Sequence, residues 1–272
     1  MMELAENGVS FGAVHLQPPV ERISEREFRN DVDFFVAPEL QILLHHIAEV
    51  LLRVYLAHEG RPQSPWVELS ATRAPGKFKR DVQRRVGPEL DSSVVAEIVY
   101  GTPDRAEIAK MPIHGSVDDV LHSVVRLLRE AAGCFLVGGG LYNAAKHGLV
   151  IAPGRFELKV EFEGDPVPDL DLGLDIAGPT IDYLEFNGRE DGSEKWRHTT
   201  EWLDIEKDLT LAYLWTMLIR SIWSVGRARY LGHPTFGVFA VSPEHLDGVL
   251  DRGESRVRKF HRGFLRPVEN EL

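Results

Sequence analysis

Residues 141–148 carry the side chains of this sequence whose types and spacing best fit a chemical role. On a helix, Asn143, Lys146 and His147 occupy positions i, i+3 and i+4, which lie on one face. An amide, an ammonium group and an imidazole side by side suit a phosphate or a carboxylate. His147 can also act as a general acid or base near neutral pH. The sequence therefore predicts a site at Asn143, Lys146 and His147, with Tyr142 as a further binding residue and His147 as the catalytic candidate.

The same residues also have a purely structural interpretation. Lysine and histidine in the last turn of a helix interact favourably with the helix dipole. Gly148, directly after them, is suited to the left-handed conformation that ends a helix. In this interpretation Asn143 bonds to a neighbouring loop. The sequence leaves both interpretations open.

Other polar spacings suggest metal sites but remain incomplete. His45 and Glu49 are four residues apart, and Asp119 and His122 resemble half of a helical di-iron motif, which needs two such pairs and two more carboxylates. The acidic stretch 163–175 lacks the glycine and the final glutamate of a calcium loop. We therefore expect no metal and no cofactor.

Composition narrows the class of protein. The chain has 272 residues, a mass of 30.6 kDa and a net charge of -11, which disfavours nonspecific binding of nucleic acid by the whole surface. A single cysteine, Cys134, excludes an intrachain disulfide and a cysteine-built zinc site. The first seven residues lack the basic start of a secretory signal, so a cytoplasmic protein without a membrane segment is expected. Basic stretches at 77–85 and 256–266 predict a local positive patch that suits RNA or an acidic partner.

Local periodicity predicts the elements that position the site. The expected order is an irregular segment over 1–36, a helix from near Pro38, a shorter helix pair over 64–90, a helix capped by Ser116, a β insertion over about 149–203, and a last long helix from about Ile205 to Tyr230. Because the strands cluster, the predicted fold class is α+β. We expect a bundle of long α-helices with a small antiparallel β-sheet inserted before the last long helix, all in one domain over 1–272.

Three features within this order need the structure. Residues 91–115 fit a strand or a helix equally well. The run Gly138–Gly140 predicts either a break in a helix or a close approach by another element. Alternating apolar residues around Pro153 and Gly154 predict a β-hairpin with its turn there.

The segment Leu141 to Gly148 resembles the N-x-x-K-H variant found in uncharacterised bacterial proteins of the HEPN type, the higher-eukaryote and prokaryote nucleotide-binding helical bundle. The resemblance covers 116–148 and extends to the helices near 38–60 and 205–230. It implies an up-down helical bundle. Many members of that family are metal-independent ribonucleases, often paired with an antitoxin or a defence system.

The sequence departs from the nuclease members, which carry an arginine and a histidine a few residues apart. Asn143 stands where such an arginine would be useful. Pairs with similar spacing occur elsewhere, as often as random placement would give: Arg53 with His58, Arg227 with His233, and Arg256 with His261.

The expected function is therefore a non-catalytic HEPN-like protein that binds a nucleotide, RNA or a protein partner. One alternative is a ribonuclease of toxin or defence type, with His147 as general acid and base. Another is a structural interaction module that forms a homodimer through helix faces. Half-exposure of the apolar stripe over 205–230 in one subunit would favour that last alternative.

Overall fold

A computed structural model describes most of the chain. The described residues are 9–11, 14–16, 25–60, 63–71, 74–87, 90–113, 115–146, 151–160, 174–190, 193–232, 237, 239–250 and 259–267. The helices among them are α1 (Glu25–Gly60), α2 (Pro65–Ser70), α3 (Pro75–Arg85), α4 (Ser92–Tyr100), α5 (Arg105–Ile108), α6 (Val117–Val137), α7 (Gly139–Lys146), α8 (Ile205–Leu231) and α9 (Pro243–Leu250). The strands are β1 (Val9–Phe11), β2 (Val14–Leu16), β3 (Ile151–Val160), β4 (Leu174–Glu190), β5 (Ser193–Trp202) and β6 (Lys259–Pro267).

Helix α1 is longer than the sequence predicted. It begins at Glu25 and runs through Pro38, so the start near Pro38 and the irregular segment over 1–36 are wrong for residues 25–36. The stretch from Glu25 to Ala37 contains no glycine or proline that would end a helix. An interior proline costs a helix about 3 kcal/mol. Burial of the apolar residues that follow Pro38 offsets this cost.

The part of α1 from Val36 to Gly60 is, among the described residues, the one helix long and apolar enough to cross a membrane by length and composition alone. Core helices of soluble proteins pass the same test. Inside the protein, 56% of its most apolar window is buried. The absence of a membrane segment therefore stays a prediction.

The core forms where α1, α6 and α8 meet. Helices α1 and α8 run parallel, because Gln41 donates to Asp208 (2.5 Å) near one end and His58 lies against Gly226 near the other. Trp215 of α8 is fully buried, and its indole donates to the backbone carbonyl of α6 residue Leu127 (3.1 Å). Burying each large apolar side chain contributes about 1.5–3 kcal/mol, so this contact fixes the three long helices together.

Helix ends follow local sequence signals. The Ser116 hydroxyl accepts from the Asp119 amide (3.1 Å) at the start of α6, as predicted. The ambiguous region after residue 90 is helical. Asp91 caps it by accepting from the Ser93 amide (2.8 Å), and Gly101 ends it in the left-handed region with φ 81°.

The four-stranded sheet has the order β3-β4-β5-β6, with every neighbouring pair antiparallel. The predicted hairpin turn at Pro153 and Gly154 is wrong, because β3 passes straight through both residues and pairs with β4. Proline is tolerated there because β3 is an edge strand. Strands β3 to β5 precede α8 and β6 follows it. The predicted α+β fold class, a helical bundle with a small antiparallel sheet, is confirmed.

Candidate functional site

Helix α7 carries the predicted site, and a glycine sets its position. Gly138 ends α6, and α7 starts at the next residue. A methyl group on Gly140 would overlap the Glu185 carboxylate of β4 and would lie 3.4 Å from the Tyr183 ring. Strand β4 reaches the start of α7 this closely because residue 140 has no side chain. The glycine run thus produces both predicted effects, a break in the helix and a close approach.

The structure places three of the four predicted site residues. Asn143 and Lys146 are exposed on α7, and Tyr142 is half-buried. The Lys146 ammonium lies 5.8 Å from the centroid of the Tyr142 ring, within the range of a cation–π contact. His147, the predicted catalytic residue, lies outside the described residues. The amide, the ammonium and the phenol ring are therefore together at one end of the bundle.

A lysine from a different helix joins this group. Lys79 of α3 is exposed, while its neighbours Phe78 and Val82 are buried and hold α3 against the core. From the point that a Cβ on Gly139 would occupy, the Lys79 Nζ is 3.6 Å away and the Asn143 side-chain nitrogen is 4.0 Å away. The ammonium and the amide thus flank the first residue of α7.

The start of α7 adds backbone donors to these side chains. The first N–H groups of a helix have no acceptor within the helix, and the helix dipole makes this end positive. We call the group formed by Lys79, Gly139 and Asn143 the α7 site. Its donors and its positive charge suit an anion, and phosphate groups commonly bind at helix starts.

Two histidines of α1 support the Tyr142 ring. His45 stacks on Tyr142 with ring centroids 4.4 Å apart and planes inclined by 16°. His46 meets the same ring edge-on, at 5.0 Å and 89°. These contacts fix the phenol ring beside Asn143. Sequence reasoning noted His45 only as half of an incomplete metal pair.

His45 is buried in an unusual electrostatic environment. Its Nδ1 atom has no hydrogen-bond partner among the described residues. Burial is the main cause that lowers the pKa of His45 below 6.5, and positive charge on His46 and Lys79 acts in the same direction. The Glu49 carboxylate and the Cys134 carbonyl oppose this effect, although the carbonyl does not reach hydrogen-bond geometry with Nδ1. The imidazole is accordingly neutral at pH 7.

A polar network on the sheet borders the other side of α7. Glu185 pairs with Arg197 (2.6 Å) and accepts a hydrogen bond from Thr199 (3.3 Å). The Thr199 hydroxyl also bonds to Nδ1 of His261 (2.9 Å). Since Arg197 neutralises the Glu185 carboxylate, the carboxylate against Gly140 does not cancel the positive charge of Lys79.

A second chain of polar contacts continues across the same face of the sheet. The Tyr183 hydroxyl donates to Glu201 (3.3 Å), and Glu201 pairs with Lys259 (2.9 Å). Burial, followed by the nearby Glu201 and Glu185 carboxylates, raises the pKa of Tyr183. The Tyr183 phenol therefore stays protonated and acts as a donor.

Sequence reasoning missed the sheet network. Its signal was present in the alternation along β4, which places Tyr183 and Glu185 on one face. The strand register then pairs Glu185 with Arg197, and Thr199 with His261. This register became apparent only once β6 was known to complete the sheet.

The other predicted constellations do not assemble into sites in the described part of the chain. Within those residues, no group of three or more His, Cys, Asp or Glu side chains could hold a metal ion. Asp119 instead accepts from the Ser116 hydroxyl (2.6 Å) at the start of α6. Most of the acidic stretch 163–175 lies outside the described residues, as does most of the basic segment 256–266.

The arginine–histidine pairs also have structural roles where they are described. Arg53 pairs with Glu49 (2.6 Å) and lies 4.3 Å over the Phe78 ring. His58 is buried, and its Nδ1 bonds to the Val54 carbonyl (2.9 Å). Each of the remaining two pairs includes a residue outside the described ranges, His233 in one and Arg256 in the other.

The apolar stripe of α8 is used inside the chain. Leu211, Trp215, Leu218 and Ile222 are all buried in the core, so the predicted half-exposure of this stripe is wrong. The opposite face exposes Leu209, Tyr213 and Leu231. Nothing in the structure shows what contacts that face, and the homodimer stays a prediction.

Comparison of this chain with protein-family models, with curated proteins and with solved structures found no match. The resemblance to HEPN proteins therefore stays an expectation that rests on the 141–148 segment alone.

Proposed function

We propose that this protein binds a phosphate-bearing ligand, a nucleotide or RNA, at the α7 site, and that it does so without cleaving it. The convergence of Lys79 and Asn143 on Gly139, the first residue of α7, carries the proposal. A phosphate there meets an ammonium, an amide and backbone donors. Such charge-assisted hydrogen bonds are roughly twice as strong as those between neutral groups.

The surface next to the α7 site favours a ligand with more than one phosphate. The 77–85 stretch has five cationic side chains and one carboxylate, and Lys77, Arg80 and Arg84 are exposed with Lys79. From Lys77 to Arg84 the helix rises by about 10 Å. This row of cations stands out on a protein of net charge -11, so anionic ligands are attracted to it and repelled elsewhere.

The preference for binding over cleavage rests on residue 143. Nuclease members of the family that this segment resembles use an arginine together with a histidine. Asn143 carries no charge and cannot stabilise the additional negative charge that develops on a phosphate during cleavage. It can still donate a hydrogen bond to a phosphate oxygen in the ground state.

Binding is tested by fluorescence anisotropy with a labelled, short single-stranded RNA bearing a 5′-hydroxyl, and by calorimetry with ATP. We expect Lys79→Ala to weaken RNA binding about fivefold or more and to reduce the slope of log K against log salt concentration by about 0.7. Asn143→Ala should weaken binding less, because it removes a neutral donor. Comparison of the two ligands separates a nucleotide site from an RNA site.

Lys110→Ala is the matched control. Lys110 is exposed and pairs with Glu107 (2.6 Å) in the segment between α5 and α6, away from the α7 site in the sequence. Its loss should leave RNA affinity nearly unchanged. Wild-type protein that binds neither RNA nor ATP at low salt would overturn the proposed function. Equal losses in Lys79→Ala and Lys110→Ala would instead show a nonspecific charge effect and remove the site assignment.

A further inference from the structure

His45 combines deep burial with an unused ring nitrogen beside the α7 site. Its side chain is 5% exposed, and its Nδ1 lies 3.8 Å from the point that a Cβ on Gly138 would occupy. Nδ1 has no hydrogen-bond partner among the described residues. Buried polar atoms in folded proteins almost always have one, so an exception calls for an explanation.

The groups around His45 come from four helices. On α1 these are His46 and Glu49, and on α3 the ammonium of Lys79. Helix α6 contributes the Cys134 carbonyl, and α7 contributes the stacked Tyr142 ring. Apart from the Glu49 carboxylate and the Cys134 carbonyl, these surroundings do not favour a second positive charge in the free protein.

Lys79 links this environment to the proposed ligand. The same ammonium that flanks Gly139 also lowers the pKa of His45. A phosphate bound at the α7 site would pair with Lys79 and offset its positive charge. It would also place a negative charge near a buried imidazole, where interactions are weakly screened. Both effects favour the imidazolium form of His45.

We propose that His45 takes up a proton when a phosphate-bearing ligand occupies the α7 site, so that binding tightens as the pH falls. This inference rests on the proposed function and adds to it a regulation by pH. The free protein holds His45 neutral because burial and Lys79 disfavour its charged form. The complex holds it protonated over a wider pH range. The proton and the ligand therefore bind with positive linkage.

The size of the effect follows from this linkage. Each unit by which ligand binding raises the pKa of His45 gives up to a tenfold gain in affinity once the pH lies below both pKa values. For a rise of about one unit, we expect the affinity for RNA to increase about threefold between pH 8 and pH 6. Calorimetry in two buffers of different ionisation enthalpy should detect net proton uptake on binding at pH 6.

The experiment compares the wild type with His45→Gln and His46→Gln, using the 5′-hydroxyl RNA because its phosphodiesters do not titrate in this range. His46 is the matched control, since it is exposed and contacts the same Tyr142 ring. We expect the gain in affinity to disappear in His45→Gln and to persist in His46→Gln. Proton uptake should follow the same pattern.

Nuclear magnetic resonance titration of His45 in the wild type covers the case in which His45→Gln does not fold. The His45 ring signal, assigned through its contact with Tyr142, should titrate at a higher pH with RNA bound than without it. An unchanged titration, or an equal pH dependence in His45→Gln, would overturn this inference and leave the proposed function standing. Absence of RNA binding at every pH would instead overturn the proposed function.

Discussion

Substituting alanine for Gly140 tests the contact between α7 and the sheet that positions the site. The added methyl group would overlap the Glu185 carboxylate. That carboxylate ends a flexible side chain, but Arg197 and Thr199 hold it in place. The substitution therefore forces Glu185 to give up at least part of these contacts. We expect Gly140→Ala to lower the free energy of unfolding.

The expected magnitude combines a loss and a gain. Hydrogen bonds to a charged group contribute about 1.5–3 kcal/mol, and the pair between Glu185 and Arg197 falls toward the lower end because Arg197 is 39% exposed. Replacing glycine by alanine in a helix returns at most about 1 kcal/mol. The net destabilisation should be about 1–2 kcal/mol.

Urea denaturation of Gly140→Ala, Glu185→Ala and the double variant measures this energy, with Gly133→Ala as the control. Gly133 lies within α6, is exposed, and has nothing within 4 Å of an added Cβ. Gly133→Ala should therefore stabilise the protein by about 0.5–1 kcal/mol. In the Glu185→Ala background, Gly140→Ala should cost little, giving a coupling energy of about 1–2 kcal/mol. A Gly140→Ala variant as stable as the wild type, or an equal cost without Glu185, would refute the reasoning.

Two further predictions concern stability. Ser221 is buried, donates to the Val99 carbonyl (3.1 Å) and accepts from the Phe239 amide (3.4 Å), so Ser221→Ala should destabilise the protein by about 1–2 kcal/mol in urea, whereas Ser70→Ala at an exposed position should change little. Burial lowers the pKa of both His45 and His58 below 6.5, so the unfolded chain binds protons that the folded chain does not. The free energy of unfolding should therefore fall as the pH is lowered below about 6.5, and this slope should shrink in His58→Gln; a slope that is unchanged in this variant would contradict the assignment to His58.

Local sequence signals determined much of the fold. Apolar periodicity predicted α8 from Ile205 to Tyr230, and the helix ends at Leu231. Ser116 marked the start of α6, and the glycine run marked its end. These signals act between residues a few positions apart, within one helical turn or at its cap. They can therefore be read without knowing what the helix packs against.

Boundaries that depend on packing could not be predicted in this way. Pro38 normally marks a helix start, yet α1 continues through it because the apolar residues that follow are buried in the core. Pro153 and Gly154 normally mark a turn, yet β3 continues through them because it is an edge strand paired with β4. In both cases the tertiary contacts outweigh the local preference.

The sequence by itself supplied Tyr142, Asn143 and Lys146 as one end of a helix. Only the tertiary structure added Lys79, His45 and the Glu185 network, which lie more than 40 residues from that helix along the chain or on a separate strand. The physical reason is that helical spacing fixes which side chains share a face, whereas the partners of that face are fixed by burial of the core around α1, α6 and α8.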